Sequence, residues 1–566
     1  MFFDQLTQYS QQIIKANILV YVFFISLFLT YNYLAKRKLF GKKPNNPSAK
    51  TTGPKEKAKL FILENRPKIT VICGILIFII LFLINLRYFQ YRDPIFSADD
   101  PAIHLTAIKS IINHTPLTYY FLPSAHYQLP VFWSYFIIAW LSKFLAVNFI
   151  VCTKIFTIAI FSLTPVLAFF ITRRYLELTT AVIIAFFINF DHLFQSLFWG
   201  GNINQIIGLV FILAIILIFQ QIESISDKNK RNVKLLWLLL ALILATLSLG
   251  FHTLTFLILL VVGSVYTIYS IVTSKLNIYY KCLLFLAIII FFPLPFLKSP
   301  DNFSLYIAGF DLKSSFLGGL NLWNFDYIIA ICFIIGLFIS VKKWHSAIIP
   351  VVAIVSLVFS TAGNNHPGFY PERFPVYLSI FIIIFLLAAY EYANKLISKK
   401  WLFLLVSSIF LFINGMLVLI PTSLVLRVIY HSEYALPARV PSEDVSAMEW
   451  IQGNTNSNAI IGGPFKWGEY IPILADRRVV YYPDQVINYS DPGFKVDIKS
   501  LMAGDSPQQS YLAAQRLGVN YVLWSYQLNK SKNPYFVNTK YKNNFFDQQY
   551  FTKVYDENDV QIYKVN

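Results

Sequence analysis

Long apolar runs separated by short polar breaks dominate this sequence. A helix needs about 20 apolar residues to cross the hydrocarbon core of a bilayer. Runs of that order occupy residues 17–35, 69–86, 127–146, 150–171, 203–221, 235–250, 255–273, 282–297, 326–341, 346–362, 374–394 and 401–420. They predict a mainly α, polytopic membrane bundle of about twelve spans. A shorter run, 179–190, is too short to cross by that measure and is expected to lie as an interfacial or re-entrant helix at the outer face. After residue 420 the pattern changes. Short apolar stretches ("AIIGG", "RRVVYY", "NYVLW", "VQIYKV") alternate with helical patterns ("SEDVSAMEWIQG", "SPQQSYLAAQRLG") and turn dipeptides. Strands alternating with helices predict a small α/β domain over 421–566. Ser442 is expected to cap its first helix, with acids in the first turn.

Charge orients the runs. Residues 36–68 hold eleven Lys/Arg against two Glu, which places this loop in the cytoplasm by the positive-inside rule. The loops "SDKNKRNVK" (226–234), "SKLNIYYK" (274–281), "KKWH" (342–345) and "NKLISKK" (394–400) are also basic. Counting spans puts all of them on the same side, provided 179–190 does not cross. Loops 298–325 and 363–373, and the whole tail, then face outward. The expected organisation is an N-terminal span (1–35), a basic cytoplasmic loop (36–68), a transmembrane domain (69–420) and an extracytoplasmic α/β domain (421–566). This arrangement also leaves Arg173 and Arg174 outside, against the charge rule. The formal net charge of +18 is thereby explained without a nucleic-acid partner. With 56% hydrophobic and 13% charged residues, the composition excludes an ordinary soluble protein. The four cysteines (Cys73, Cys152, Cys282, Cys332) have neither zinc-site nor disulfide-framework spacing.

This topology collects ionisable residues at the outer surface. "RDPIFSADDPAIHLTAIK" (92–109) contributes Asp99, Asp100 and His104. Further on come Arg173, Arg174, Asp191 and His192, then His252, then His366, Glu372 and Arg373. "DDPAIHLTAIKSII" has the pattern of an amphipathic helix with an acidic start. One aspartate would serve as a cap, and a second points to chemistry. Asp100 and His104 are one helical turn apart. Adjacent carboxylates at a lipid–water boundary suit a general base, or ligands for a hard cation such as Mg2+ or Mn2+; Asp100, His104 and Asp191 are the candidate metal ligands. Arginines nearby suit a phosphate. Together they suggest transfer of a group from a lipid phosphate, whose leaving group needs charge stabilisation while the acceptor needs a base.

The order of these parts resembles the GT-C superfamily of polyprenyl-phosphate-sugar-dependent glycosyltransferases. It comprises an acidic first outer loop opening a helix, many spans, a late arginine and an outer α/β domain. The tail stretch "AMEWIQGNTNSNAIIGGPFKWGEYIPILADRRVVYYPDQ" is similar to the outer domain of catalytic oligosaccharyltransferase subunits. The resemblance implies that Asp99 or Asp100 is the catalytic base, with Asp191 loosely matching the family's second-loop acid; His104, one turn from Asp100, is a supporting candidate with no counterpart in the family. It implies that Arg373 binds the donor phosphate and that Trp467, Glu469 and Tyr470 contact the acceptor; Arg173 and Arg174 are further phosphate candidates only from their expected place at the outer face. The chain departs from the family where "KWGEY" (466–470) stands in place of "WWDYG", the motif that reads the Asn-X-Ser/Thr sequon. The expected protein is therefore a multi-pass glycosyltransferase of the cell membrane. It would move a sugar from a polyprenyl-phosphate donor to an outer-face protein or cell-surface glycan. The alternatives are an oligosaccharyltransferase acting on Asn, a lipid or solute transporter, and a non-catalytic membrane assembly protein.

Overall fold

The computed structural model describes residues 66–90, 99–115, 117–122, 133–191, 194, 203–225, 231–273, 327–344, 346–362, 375–396, 442–463, 470–481, 492–525 and 542–566. The chain divides into Met1–Ile69 and Thr70–Asn566, and the fold described is that of the second unit. The expected spans 17–35, 282–297 and 401–420 lie outside the described residues.

Apolar runs become helices because a backbone in an apolar medium must satisfy its own hydrogen bonds. They give α1 (Arg66–Gln90), α5 (Phe149–Arg173), α6 (Leu178–Phe190), α7 (Ile203–Ser224), α8 (Arg231–Phe251), α9 (Thr253–Thr273), α10 (Tyr327–Lys342), α11 (Ile348–Ala362) and α12 (Pro375–Leu396). Before α5 come α2 (Asp99–Asn113), the short α3 (Leu117–Tyr120), strand β1 (Phe121–Leu122) and α4 (Trp133–Leu145). Among the described residues three stretches, within α1, α5 and α7, are long and apolar enough to cross a membrane; α6, α8, α11 and α12 contain shorter apolar segments.

Side-chain contacts fix the helix directions. α5 and α7 run parallel: Phe156 packs against the cluster of Ile203, Ile207 and Phe251 near their starts, and the Gln220 amide donates to the Ile171 carbonyl (3.4 Å) near their ends. α6 runs back along α5, and α12 lies antiparallel to α6. Asp191 after α6 meets Ser379 early in α12, while Glu391 late in α12 accepts from the Glu177 amide before α6. These contacts define two ends of the bundle. One end holds Asp191, Ile203, His252, Tyr377 and Ser379. The other holds Arg173, Arg174, Glu223, Trp344 and Glu391.

Two expectations change places here. The run 127–146 gives only α4 within the described residues, and α4 does not traverse the bundle. Its Ser134 meets Asn204 at the start of α7, and Trp133 meets Phe251 at the end of α8. Its C-terminus turns through Ala146 (φ 52°) directly into α5 at that same end. The short run 179–190 instead lies lengthwise as α6. Its ends sit at opposite ends of the bundle, about 20 Å apart at 1.5 Å per residue. It needs no interfacial setting, because Ile184, Ala185 and Ile188 are fully buried among neighbouring helices.

The tail follows the alternating pattern. Helix α13 (Ser442–Asn454), β2 (Ile460–Gly463), a π-helical turn (Ile471–Ala475), β3 (Arg478–Tyr481), α14 (Pro492–Ala503), α15 (Pro507–Leu517), β4 (Tyr521–Ser525), α16 (Lys542–Phe545), β5 (Phe551–Glu557) and β6 (Val560–Val565) succeed one another. Ser442 is the first residue of α13 and its hydroxyl turns to Glu443 (3.1 Å). The sheet order is β1-β3-β2-β4-β6-β5. β1, β3, β2 and β4 pair in parallel, and β4, β6 and β5 pair antiparallel. The outermost strand, β1, comes from the loop after α2, with Phe121 opposite Val479. One continuous apolar core therefore runs from the bundle through Ala102 and Leu105 of α2 to Met448, Ile451 and Ile471 of the tail.

Candidate functional site

Helix α2 is the centre of the site. Asp99 and Asp100 open it, and Pro101 follows, a residue suited to a first helical turn because it lacks an amide donor. Ala102, Leu105 and Ile108 are buried, so the helix is held on its apolar side. One turn beyond Asp100, His104 pairs through Nδ1 with the Tyr135 hydroxyl of α4. Tyr135 is itself buried and accepts from the Asn204 amide of α7 (3.4 Å). The Ser134 hydroxyl donates to Asn204 Oδ1 (2.5 Å). This chain of polar groups ties the first half of α2 to the bundle.

The second half of α2 is tied to the tail. Lys109 is buried on the apolar stripe, and its ammonium donates to the Pro472 carbonyl (2.7 Å) and pairs with Asp476 Oδ1 (2.5 Å). Burial lowers the Lys109 pKa from the ordinary lysine value, while Asp476 pulls it back up. Just past α2, the Arg478 guanidinium donates to the Tyr119 carbonyl (3.1 Å) and lies over the Tyr119 ring.

Asp191 stands at the same end of the bundle. Its Oδ2 accepts from the Phe194 amide and the Ser379 hydroxyl, both at 3.0 Å. Burial pushes its carboxyl up to about 6, against the pull of these two donors. Close by, Thr255 and Tyr377 hydroxyls meet at 3.0 Å, and His252 Nδ1 meets Thr255 Oγ1 at 2.8 Å. The first turn of α12 is thus anchored twice. Arg373 precedes Pro375, the first residue of α12, by two positions in the sequence.

The structure brings α2, His104 and Asp191 to one end of the bundle. It does not bring Arg173 and Arg174 there; they follow α5 to the other end, where Tyr175 stacks on Trp344 (4.9 Å). Tyr470 is buried at the head of the π-helical turn, so its ring packs into the core. The side chains of Asp99 and Asp100, and residues His192, His366, Glu372, Arg373, Trp467 and Glu469, lie outside what is described. Among the described residues no three His, Cys, Asp or Glu side chains meet to hold a metal ion. Sequence reasoning missed Lys109, Tyr135, Asn204 and Asp476. Lys109 carried a signal: it falls on the stripe Leu105–Ile108–Ile112, where a cation needs a partner.

No protein-family model matches the sequence, and no curated protein matches it. Solved structures do. The oligosaccharyltransferase of Archaeoglobus fulgidus, tethered to an acceptor peptide containing the NVT sequon, superposes with a TM-score of 0.55 at 11% identity, covering 81% of this chain and 69% of that one. The same oligosaccharyltransferase in complex with Zn and sulfate gives 0.52 at 12% identity over 80% and 68%. The archaeal oligosaccharyltransferase AglB from Archaeoglobus fulgidus, in complex with an inhibitory peptide and a dolichol-phosphate, gives 0.52 at 11% identity over 80% and 69%. At such identities the likeness is one of fold. The chain shares the fold of these oligosaccharyltransferase structures.

Proposed function

We propose that the protein is an integral-membrane glycosyltransferase. It takes a sugar from a polyprenyl-phosphate donor and passes it to an acceptor on the outer face. The observation that carries this reading is the setting of α2. Its first turn bears Asp99 and Asp100, at the bundle end that also holds Asp191, in a chain with an oligosaccharyltransferase fold. In the proposed orientation the end with Arg173, Arg174, Lys342 and Lys343 faces the cytoplasm, and the tail faces outward.

The chemistry follows from the two charges the reaction must manage. Asp99 or Asp100 accepts the proton of an acceptor hydroxyl or amide as that atom bonds to the anomeric carbon. The bond from that carbon to the phosphate oxygen breaks, and the departing phosphate needs a cation rather than a proton. Arg373, just before the anchored first turn of α12, supplies it. Asp191 holds that turn through Ser379. Mg2+ or Mn2+, if used, would take hard oxygens from Asp191 and from Asp99 or Asp100, and would add positive charge beside the phosphate.

The test is transfer from a sugar-charged polyprenyl phosphate in membranes carrying wild type, Asp99→Asn, Asp100→Asn or both changes. At least one single variant should lose activity by about 10²-fold or more, with folding intact by tryptophan fluorescence. Full activity in all three variants would overturn the base assignment. The fold likeness also favours a second reading, transfer of a whole glycan to Asn. An Asn-X-Thr peptide with lipid-linked oligosaccharide separates the two readings; "KWGEY" in place of "WWDYG" leads us to expect no glycopeptide.

A further inference from the structure

We propose that Lys109 is a positioning residue that makes α2 and the tail segment 470–478 move as one body, so that the tail sets the placement of the acidic first turn. The inference rests on the glycosyltransferase reading above. Its geometry stands on the contacts alone.

Lys109 is nine to ten residues from Asp99 and Asp100, which is about 14–15 Å along α2. It therefore acts through the helix and touches no reacting atom. Its ammonium holds the π-helical turn at both ends, Pro472 on one side and Asp476 on the other. That turn directly follows Tyr470, and the candidate acceptor residues Trp467 and Glu469 lie just before it in the sequence. Asp476 itself sits at φ 53°, a left-handed backbone that a non-glycine residue holds only when its surroundings fix it. Arg477 supplies part of that fixation. Its guanidinium donates to the carbonyls of Gln452, Thr455, Ala475 and Asp476 and to the Thr455 hydroxyl, which fastens the turn to the end of α13. The Asp476 carboxylate thus stays with Lys109 while Arg477 is engaged elsewhere.

Two further contacts show that this junction is continuous. Strand β1 adds to the edge of the tail sheet beside β3, and Arg478 grips Tyr119. On top of its apolar packing, helix α2 is consequently a strut with two polar attachments. His104 joins its first half to the bundle, and Lys109 joins its second half to the tail. Losing Lys109 loosens the hold of the tail on α2, and so on the acidic turn, without removing any group from the reaction; the apolar contacts of Ala102 and Leu105 remain. A cation is required because one amine must serve a carbonyl and a carboxylate at once. Methionine fills the space and serves neither.

The experiment uses the full chain in lipid nanodiscs and compares wild type with Lys109→Met, Lys109→Arg and Asp476→Asn. Amide hydrogen exchange reads the coupling. In Lys109→Met, exchange should rise by roughly tenfold in α2 and in 470–478 together, since local opening governs it. Lys109→Arg, which can still reach both acceptors, should restore protection. With a sugar-charged polyprenyl phosphate as probe, kcat should fall by roughly tenfold or more while the donor KM stays within about twofold, as expected when orientation is lost and donor contacts are kept. Asp476→Asn keeps the Pro472 bond and should lie between, which preserves the test if the methionine variant folds poorly. Exchange that rises in 470–478 with α2 unchanged overturns the coupling. So does a donor KM that rises with kcat unchanged. A wild-type chain that transfers no sugar overturns the glycosyltransferase reading, and coupled exchange in that case still supports the strut.

Discussion

The Asn85 cluster in the bundle and Asp444 in the tail settle buried polar groups in different ways. In the bundle, Asn85 of α1 donates to Ser162 of α5 and to Asn189 of α6, both at 2.9 Å, and Asn189 donates back to Asn85 (3.3 Å). All three side chains are essentially unexposed, and each answers another. In the tail, Asp444 is just as buried; its Oδ2 accepts from the Ser525 hydroxyl at 3.1 Å, and among the described residues Oδ1 has no partner. Where lipid surrounds a helix, water cannot reach an orphaned polar group, so pairing must come from within. At Asp444 the burial is met instead by a carboxyl that keeps its proton. These two sites should therefore respond to different perturbations, the Asn85 cluster to side-chain deletion and Asp444 to pH.

The largest expected effect is the pH response of Asp444. Its position in the first turn of α13 favours the charged form through the helix dipole, yet burial outweighs this and pushes the carboxyl up to about 7. The folded state therefore holds a proton that the unfolded chain, with an ordinary aspartate near 3.8, releases. Stability falls as pH rises from about 4 to about 7 and is flat above. The full swing is up to about 4 kcal/mol at 1.36 kcal/mol per pK unit. Amide exchange of α13 in the intact protein, measured at pH 5 and pH 8, should show the loss at pH 8. Asp444→Asn should abolish that slope and protect α13 at pH 8. A slope unchanged by the substitution would assign the effect to another group.

A smaller effect is expected from the bundle. Asn85→Leu removes the centre of the Asn85–Ser162–Asn189 cluster and strands Asn189. Polar contacts between membrane helices average well under 2 kcal/mol, because the unfolded helices also find partners in lipid. The expected cost is about 1 kcal/mol, independent of pH, read as a lowered unfolding midpoint in mixed micelles. If the cost varied with pH as it does for Asp444, the contrast between the two regions would fail.

Much of this architecture was legible because long apolar runs specify helices directly. The runs 69–86, 150–171 and 203–221 lie within α1, α5 and α7 almost end to end. The tail strands and helices were legible because their apolar periods switch from two to about four. Two segments misled for one reason. Hydropathy measures what a residue would tolerate, not how far its helix travels. The run 127–146 is apolar enough to cross, yet α4 turns back at Ala146 and leaves Phe136, Trp140 and Phe144 exposed. The run 179–190 is short, yet α6 lies lengthwise because α5 and α12 cover it. In the site, the acids of α2 could be read as candidates from their own neighbourhood. Lys109 and Asp476 are 367 positions apart, and no local pattern joins them.

The exchange of α4 for α6 decides the fate of Arg173 and Arg174, and it gives the smallest expected effect. With 179–190 at the outer surface, both arginines stood beside the acids and were candidates to bind the donor phosphate. With α6 lengthwise, they lie a helix length away from Asp191, among Trp344, Lys342 and Lys343. In the proposed orientation that setting also agrees with the positive-inside pattern, which a place at the outer surface breaks. Arg173 has a structural task there, since its guanidinium donates to the Leu176 carbonyl (2.9 Å) in the turn between α5 and α6. Arg174→Gln should leave transfer within about twofold of wild type, and Arg173→Gln should lower the unfolding midpoint slightly without changing the donor KM. Arg373→Gln, measured beside them, should weaken transfer by about 10²-fold or more, as loss of a phosphate-stabilising cation does. A raised donor KM in Arg173→Gln or Arg174→Gln would return these residues to the donor site and place α6 back at the outer surface.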